Sequence, residues 1–298
     1  MTAVLAHAGG LPPFGAGELL TSARFEPLPV LAIAVLATLY VLGVRRLQRR
    51  GDRWPVGRSV AFLGFGLGSL ALATLSGLAA YDVSLFGAHM AQHMILSMIT
   101  PIFLALGAPV TLALRTAPAA PRRLLLAVLH SPIARVLTFT PLGWLFFVAS
   151  PFALYFSGWY PATLDNRFLH EALHAHFLAV GLMFFTPLLG VDPIPGRVGH
   201  PLRMLLLAAT LPFHAFLGVA IMSVTRDGTG LLAADHYLGL HPLPEAVFQQ
   251  ELGGGLLWAA GDLVGLLFLG VVLAQWMRAS EREAAREDRR LDRLERAG

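Results

Sequence analysis

His89-Met90-Ala91-Gln92-His93-Met94-Ile95-Leu96-Ser97-Met98-Ile99 opens an apolar stretch that continues to about residue 114. That length crosses roughly 30 Å of hydrocarbon as a helix. Comparable stretches lie at about 28 to 46, 59 to 80, 133 to 156, 168 to 190, 201 to 225 and 253 to 277. Backbone polar groups in lipid must be satisfied internally, which makes each stretch a helix. The expected fold is all-α, a polytopic membrane protein with seven transmembrane helices. Residues 1–27 are read as an N-terminal tail, 28–277 as the seven-helix transmembrane domain and 278–298 as a charged tail. The first stretch is too long for a signal-peptide core and is expected to be retained.

Composition agrees and removes several chemistries. Of 298 residues, 56% are hydrophobic and 13% charged, which excludes an ordinary water-soluble domain. Cysteine is absent, so thiolate metal sites, disulfides and cysteine nucleophiles are excluded. All 22 basic residues are arginine, which rules out a retinal Schiff base on a lysine despite the count of seven spans. A net charge of only +4 gives no reason to expect nucleic-acid binding.

The arginines fall at alternate span boundaries: Arg45 to Arg58 after the first, Arg115 to Arg135 after the third, Arg197 and Arg203 after the fifth. The positive-inside rule assigns these loops to the cytoplasm. The opposite loops are arginine-poor and carry acids, Asp82, Asp165, Asp227 and Asp235 among them. This topology places the N-terminus outside, the C-terminus in the cytoplasm and the chain in a bacterial plasma membrane as a multi-pass protein. The C-terminal tail mixes seven arginines with six acids at helical spacing and reads as a solvated helix.

On that topology His89 and His93 lie at the outer face, as does a second pair, His170 and His174, in His170-Glu171-Ala172-Leu173-His174. Residues four apart share a helix face, so each pair can aim two ring nitrogens at one point. Four imidazoles at one depth make a candidate metal site, suited to copper, zinc, iron or nickel. Met90 and Met94 form an adjacent stripe that favours Cu(I) if it faces the same cavity. His7, His176, His214, Gln250 and Asp262 are further candidates as ligands or as groups supporting them. His214 and Asp262 fall at similar depth in the sixth and seventh spans, where an ionisable group is costly and tends to have a partner, so a contact between them is expected. Gly253-Gly254-Gly255 is expected to admit close helix approach. Trp54, Trp144, Tyr155, Trp159, Tyr160 and Trp276 sit near predicted boundaries and read as interfacial anchors.

Two other chemistries compete. His170-Glu171-x-x-His174 matches the zinc-protease motif, which makes an intramembrane zinc metalloprotease one alternative; it leaves His89 and His93 unexplained. Histidines on facing helices can also ligate haem, so a haem-binding membrane electron carrier is another. A transporter, with Asp262 and His214 lining a path, is disfavoured by the scarcity of charge in the inner halves of the spans.

His89-Met90-Ala91-Gln92-His93-Met94, followed by Pro101 and Leu106-Gly107-Ala108-Pro109 ahead of Arg115, resembles the signature of the CtaG family of cytochrome c oxidase assembly factors. The likeness extends to Trp54-Pro55, His170, His174, Gly190-Val191-Asp192-Pro193, Pro212-Phe213-His214-Ala215-Phe216 and Gln250 through Gly254 to Trp258. Its later segments look most like the actinobacterial branch, where the domain is often fused to a copper-resistance membrane domain; here it is expected to stand alone. The resemblance implies a seven-span plasma-membrane protein required for assembling active haem-copper oxidase, with copper handling at the outer face; zinc is the second metal the histidines suit, and no catalysis is expected. Implied partners are cytochrome c oxidase subunits, the lipid bilayer and an extracytoplasmic copper donor. Where many relatives have an acid before the Gln, this chain has Gln249, so a ligand role for that acid does not carry over.

Overall fold

The computed structural model describes residues 12–196 and 198–296, so His7 and Arg197 lie outside the described residues. Every regular element among the described residues is a helix. After a single helical turn at Glu18–Thr21 come α1 (Pro27–Arg49), α2 (Val56–Tyr81) and α3 (Phe86–Thr116). Short helices α4 (Ala119–Leu129) and α5 (Pro132–Leu137) lead to α6 (Thr140–Tyr155) and α7 (Trp159–Asp165). The chain closes with α8 (Arg167–Leu189), α9 (His200–Met222), α10 (Ala234–Leu238) and α11 (Leu243–Glu295).

Six of these helices are long and apolar enough to span a membrane, and a seventh span is reached if α6 and α7 count as one. The expectation of a plain helix at 133 to 156 is corrected here. Pro141 at the first turn starts α6 only at Thr140, and α6 and α7 bend by 73° across Phe156 to Gly158. The 16 residues of α6 reach about 24 Å, short of a full hydrocarbon crossing. The seventh span differs in the opposite sense. α11 runs unbroken for 53 residues, so the charged tail continues the span as one helix.

The bundle is built around α3. Its apolar window is 56% buried, against 6% for the peripheral α1. α2, α8 and α11 all pack on α3, while α9 packs chiefly on α11 and α6 on α8. Small residues permit the closest crossings, as expected where lipid supplies no hydrophobic drive between helices. A Cβ on Gly181 of α8 would run into the Ser97 carbonyl and Pro101 of α3. One on Gly218 of α9 would stand 2.7 Å from the Gly254 carbonyl of α11. Gly253 meets the Phe86 ring, so the triple glycine seats α11 against both α3 and α9.

Two irregularities interrupt α3 along its length. Beyond Met94 the helix widens into a π-helical segment, Ile95–Ile99, and Val60–Gly66 of α2 does the same. At the far end Ala108 adopts a left-handed φ of 51° before Pro109 restarts the helix. The Asp192 carboxylate caps that restart by accepting from the backbone N–H groups of Val110 and Thr111. Trp54 donates to the Tyr40 hydroxyl, which donates to the Gly107 carbonyl, and Arg58 and Arg115 lie over the Trp54 indole. Trp54 is therefore a buried tie at the arginine end of the bundle, in place of the interfacial anchor expected.

Candidate metal centre

The other end of the bundle holds the histidines. α2 ends at Tyr81, and a tight turn, in which Leu85 N–H donates to the Tyr81 carbonyl at 2.8 Å, feeds the chain into α3. This turn carries Asp82, and the first two turns of α3 carry His89 and His93. α8 crosses them with His170 and His174 on its inward face. It starts cleanly because Asn166 caps it, accepting from the backbone N–H groups of Phe168 and Leu169.

All four imidazoles are buried, with exposures of 0% for His89, 2% for His93, 5% for His170 and 6% for His174. Their ring centres stand 3.9 Å apart for His89 and His93, 4.6 Å for His170 and His174, 5.7 Å for His89 and His170, and 6.0 Å for His93 and His174. Imidazoles bound to one tetrahedral ion through nitrogens about 2.0–2.1 Å from it have centres roughly 5 Å apart. The observed separations bracket that figure, so the two sequence pairs meet in one buried cluster, within which, among the described residues, the ligand atoms of Asp82, His170 and His174 form the group close enough to share an ion.

Asp82 completes the group. Its Oδ2 lies 3.0 Å from His170 Nε2 and 3.8 Å from His174 Nε2, and ligand atoms of the three residues fall within 4.8 Å of one another. Burial works against the Asp82 charge, but the hydrogen bond from His170 favours it, and its pKa falls below the ordinary aspartate value. The turn is pinned from outside. His236 Nε2 donates to the Val83 carbonyl and His241 Nε2 to the Ser84 carbonyl, each at 2.8 Å.

Unsatisfied donors and acceptors are concentrated here. Both ring nitrogens of His89 and of His174, Nε2 of His93, Nδ1 of His170 and Oδ1 of Asp82 are buried without a hydrogen-bond partner. Buried polar atoms are ordinarily paired, and leaving one unpaired costs about 1–3 kcal/mol. An ion would supply the missing partner for such a set. The second neighbours leave lone pairs available for it. The Tyr155 hydroxyl points at Met90 Sδ at 3.7 Å and lies 2.9 Å from His93 Nδ1. With its proton on the sulfur, that hydroxyl accepts from His93 Nδ1–H and leaves His93 Nε2 as a bare acceptor. Likewise His170 Nε2–H donates to Asp82 and leaves Nδ1 bare. Tyr160, whose hydroxyl pairs with that of Tyr237 at 2.6 Å, walls the chamber 5.0 Å from the His89 ring.

The remaining sequence candidates sort by position. Met90 and Met94 are buried beside His93. His176 is exposed, two residues round the helix from His174 and away from the chamber. Gln250 uses its amide on backbone, accepting from Leu232 N–H and donating to the carbonyls of Ile221 and Gly230, so it ties down the loop after α9. The expected pairing of His214 with Asp262 is not formed through His214 Nδ1 or Asp262 Oδ1, each of which lacks a partner. His214 packs on Gly261, one residue short of Asp262. Glu171 of the protease-like motif stands 3.8 Å from His174 Nδ1 at the edge of the chamber.

Three residues of the chamber were not among the sequence candidates. Asp82 counted only as one acid of an arginine-poor loop, although an acid seven residues ahead of a histidine pair was the available signal. Tyr155 and Tyr160 read as interfacial anchors, and the structure corrects this: they are 3% and 0% exposed.

These features define a multi-pass helical membrane protein with a buried polyhistidine chamber at one end of its bundle. Residues 38–279 match the family described as cytochrome c oxidase caa3 assembly factor (Caa3_CtaG), and the chain belongs to that family. The matched stretch contains Asp82 and all four histidines. The chain is 38% identical over 284 residues to an uncharacterized protein of Mycobacterium bovis, an alignment covering 92% of this chain and 42% of the other. The same figures hold for an uncharacterized protein of Mycobacterium tuberculosis. One of Mycobacterium leprae is 37% identical over 278 residues, 90% of this chain and 41% of the other. The chain thus spans about two-fifths of the length of these curated relatives. No solved structure matches it.

Proposed function

We propose that this chain binds a copper ion as cargo in the chamber of His89, His93, His170, His174 and Asp82, and passes it to cytochrome c oxidase during assembly. The observation that carries the reading is the set of unpartnered ring nitrogens in the walls of one buried chamber. Imidazole suits copper and zinc, and one carboxylate among neutral imidazoles offsets part of a divalent charge. His93 and His170, each held at its other nitrogen by Tyr155 or Asp82, would form the oriented part of the site. His89, with neither nitrogen hydrogen-bonded, and His174, approached only at 3.8 Å by Asp82 and Glu171, would be the adjustable part. A mixture of fixed and adjustable ligands suits an ion that must later leave.

The positive-inside rule puts the arginine end of the bundle in the cytoplasm and the chamber at the outer face, where an extracytoplasmic donor would load it. Family membership supports the oxidase as recipient. The role needs no catalytic step. In cells whose copy carries His170→Ala and His174→Ala, cytochrome c oxidase should assemble with depleted copper and recover when copper is added to the medium. Oxidase with a full copper complement in that strain would contradict the proposal.

A further inference from the structure

A small cavity of about 20 Å³ lies one helical turn further into the bundle, bordered by His93, Met90, Met94, Tyr155 and His214. This is room for a single water-sized occupant, since roughly 10–15 Å³ suffices for one. Its remaining walls are Ser97 and the apolar Phe147, Pro151, Phe177, Val180 and Leu257. His214 is 5% exposed and its Nδ1 has no partner, and neither has Nε2 of His93. Two methionines and two histidines therefore border one small space together with the hydroxyl residues Ser97 and Tyr155, and no carboxylate lines it.

We propose that this cavity is a second cation position, selective for a soft monovalent ion of the Cu(I) or Ag(I) class. The inference deepens the reading above and rests on it in taking the four-histidine chamber as the first position. Charge separates the two. The penalty for moving an ion from water into an apolar interior rises with the square of its charge, so a dication needs compensating anions nearby. Asp82 supplies one in the chamber. The deeper cavity has only neutral donors, which tolerate a single positive charge better than two. Donor softness points the same way, because thioether sulfur selects Cu(I) over harder divalent ions. His93 borders both positions, and its Nδ1 is held by the Tyr155 hydroxyl that also reaches Met90 Sδ. An ion moving between them would exchange its other ligands around one shared imidazole.

The test uses the purified full chain in detergent and chloride-free buffer, titrated with Ag(I) as a redox-inert monovalent probe and with Zn(II) as a divalent one. Bound metal is counted after desalting, and silver X-ray absorption reads sulfur neighbours. Wild type should bind Ag(I) with sulfur in its shell while also holding Zn(II). Met94→Leu and His214→Leu should each weaken Ag(I) by more than the about 10- to 100-fold typical of a residue that only supports a ligand, with Zn(II) content unchanged. That unchanged Zn(II) also certifies folding. Asp82→Asn with His89→Ala should do the reverse, losing Zn(II) and keeping Ag(I). Ag(I) binding that ignores Met94 and His214, that shows no sulfur, or that disappears only with His89 would overturn the second position. Loss of Zn(II) binding in wild type, with Ag(I) intact, would instead count against the four-histidine reading.

Discussion

Asp82 Oδ2 receives a 3.0 Å hydrogen bond from His170 Nε2, a contact that spans 88 residues of sequence and joins the turn after α2 to the first turns of α8. It sets the tautomer of His170 and places one negative charge among four imidazoles. Asp82→Asn keeps the shape and removes the charge. Divalent-metal affinity should fall about 10- to 100-fold, the range typical of residues that support a ligand. Competition against a chelator of known affinity reads this directly.

Tyr155 holds His93 by a single hydroxyl. Tyr155→Phe should weaken metal binding by about tenfold, because His93 Nδ1 loses its partner and the ring its fixed tautomer. An orphaned buried nitrogen should also cost about 1–3 kcal/mol of stability in the metal-free protein. Thermal unfolding in detergent, with and without metal, separates the two effects.

The spacing between α3 and α8 decides whether the histidine pairs meet. Gly181→Ala would drive a methyl into the Ser97 carbonyl and Pro101. Overpacking of this kind costs about 1–3 kcal/mol, and the helices should part with loss of bound metal. Gly255→Ala is the control. Its nearest neighbour would be Met222 Sδ at 3.8 Å, so stability and metal content should stay near wild type.

Gln250 makes three hydrogen bonds to backbone around the loop after α9. Gln250→Leu should expose the 226 to 230 segment to limited proteolysis while leaving metal stoichiometry unchanged. Loss of the metal alone, with the loop still protected, would make Gln250 part of the site instead.

The spans were legible in the sequence because a bilayer writes its demand into composition, and α1, α2, α3, α8 and α9 lie within a few residues of the apolar runs. The fourth was not, since Ser157 and Gly158 look like an ordinary boundary and only packing shows the bend into α7. The four histidines were legible because the helical period alone puts His89 over His93 and His170 over His174. That the two pairs share a chamber is a tertiary fact, fixed by the close crossing at Gly181. Asp82 was hidden for the same reason. A tyrosine near a span end has one appearance in sequence whether it meets lipid, as expected of Tyr155, or a histidine, as found.

The central claim is that His89, His93, His170 and His174 bind one ion together, and elemental analysis of purified wild type beside the His89→Ala, His93→Ala variant tests it most directly. The account predicts copper or zinc in the wild type and its loss from the variant, although His170 and His174 are untouched. Unchanged metal content in the variant, or a Soret band from bound haem with no copper, would contradict it.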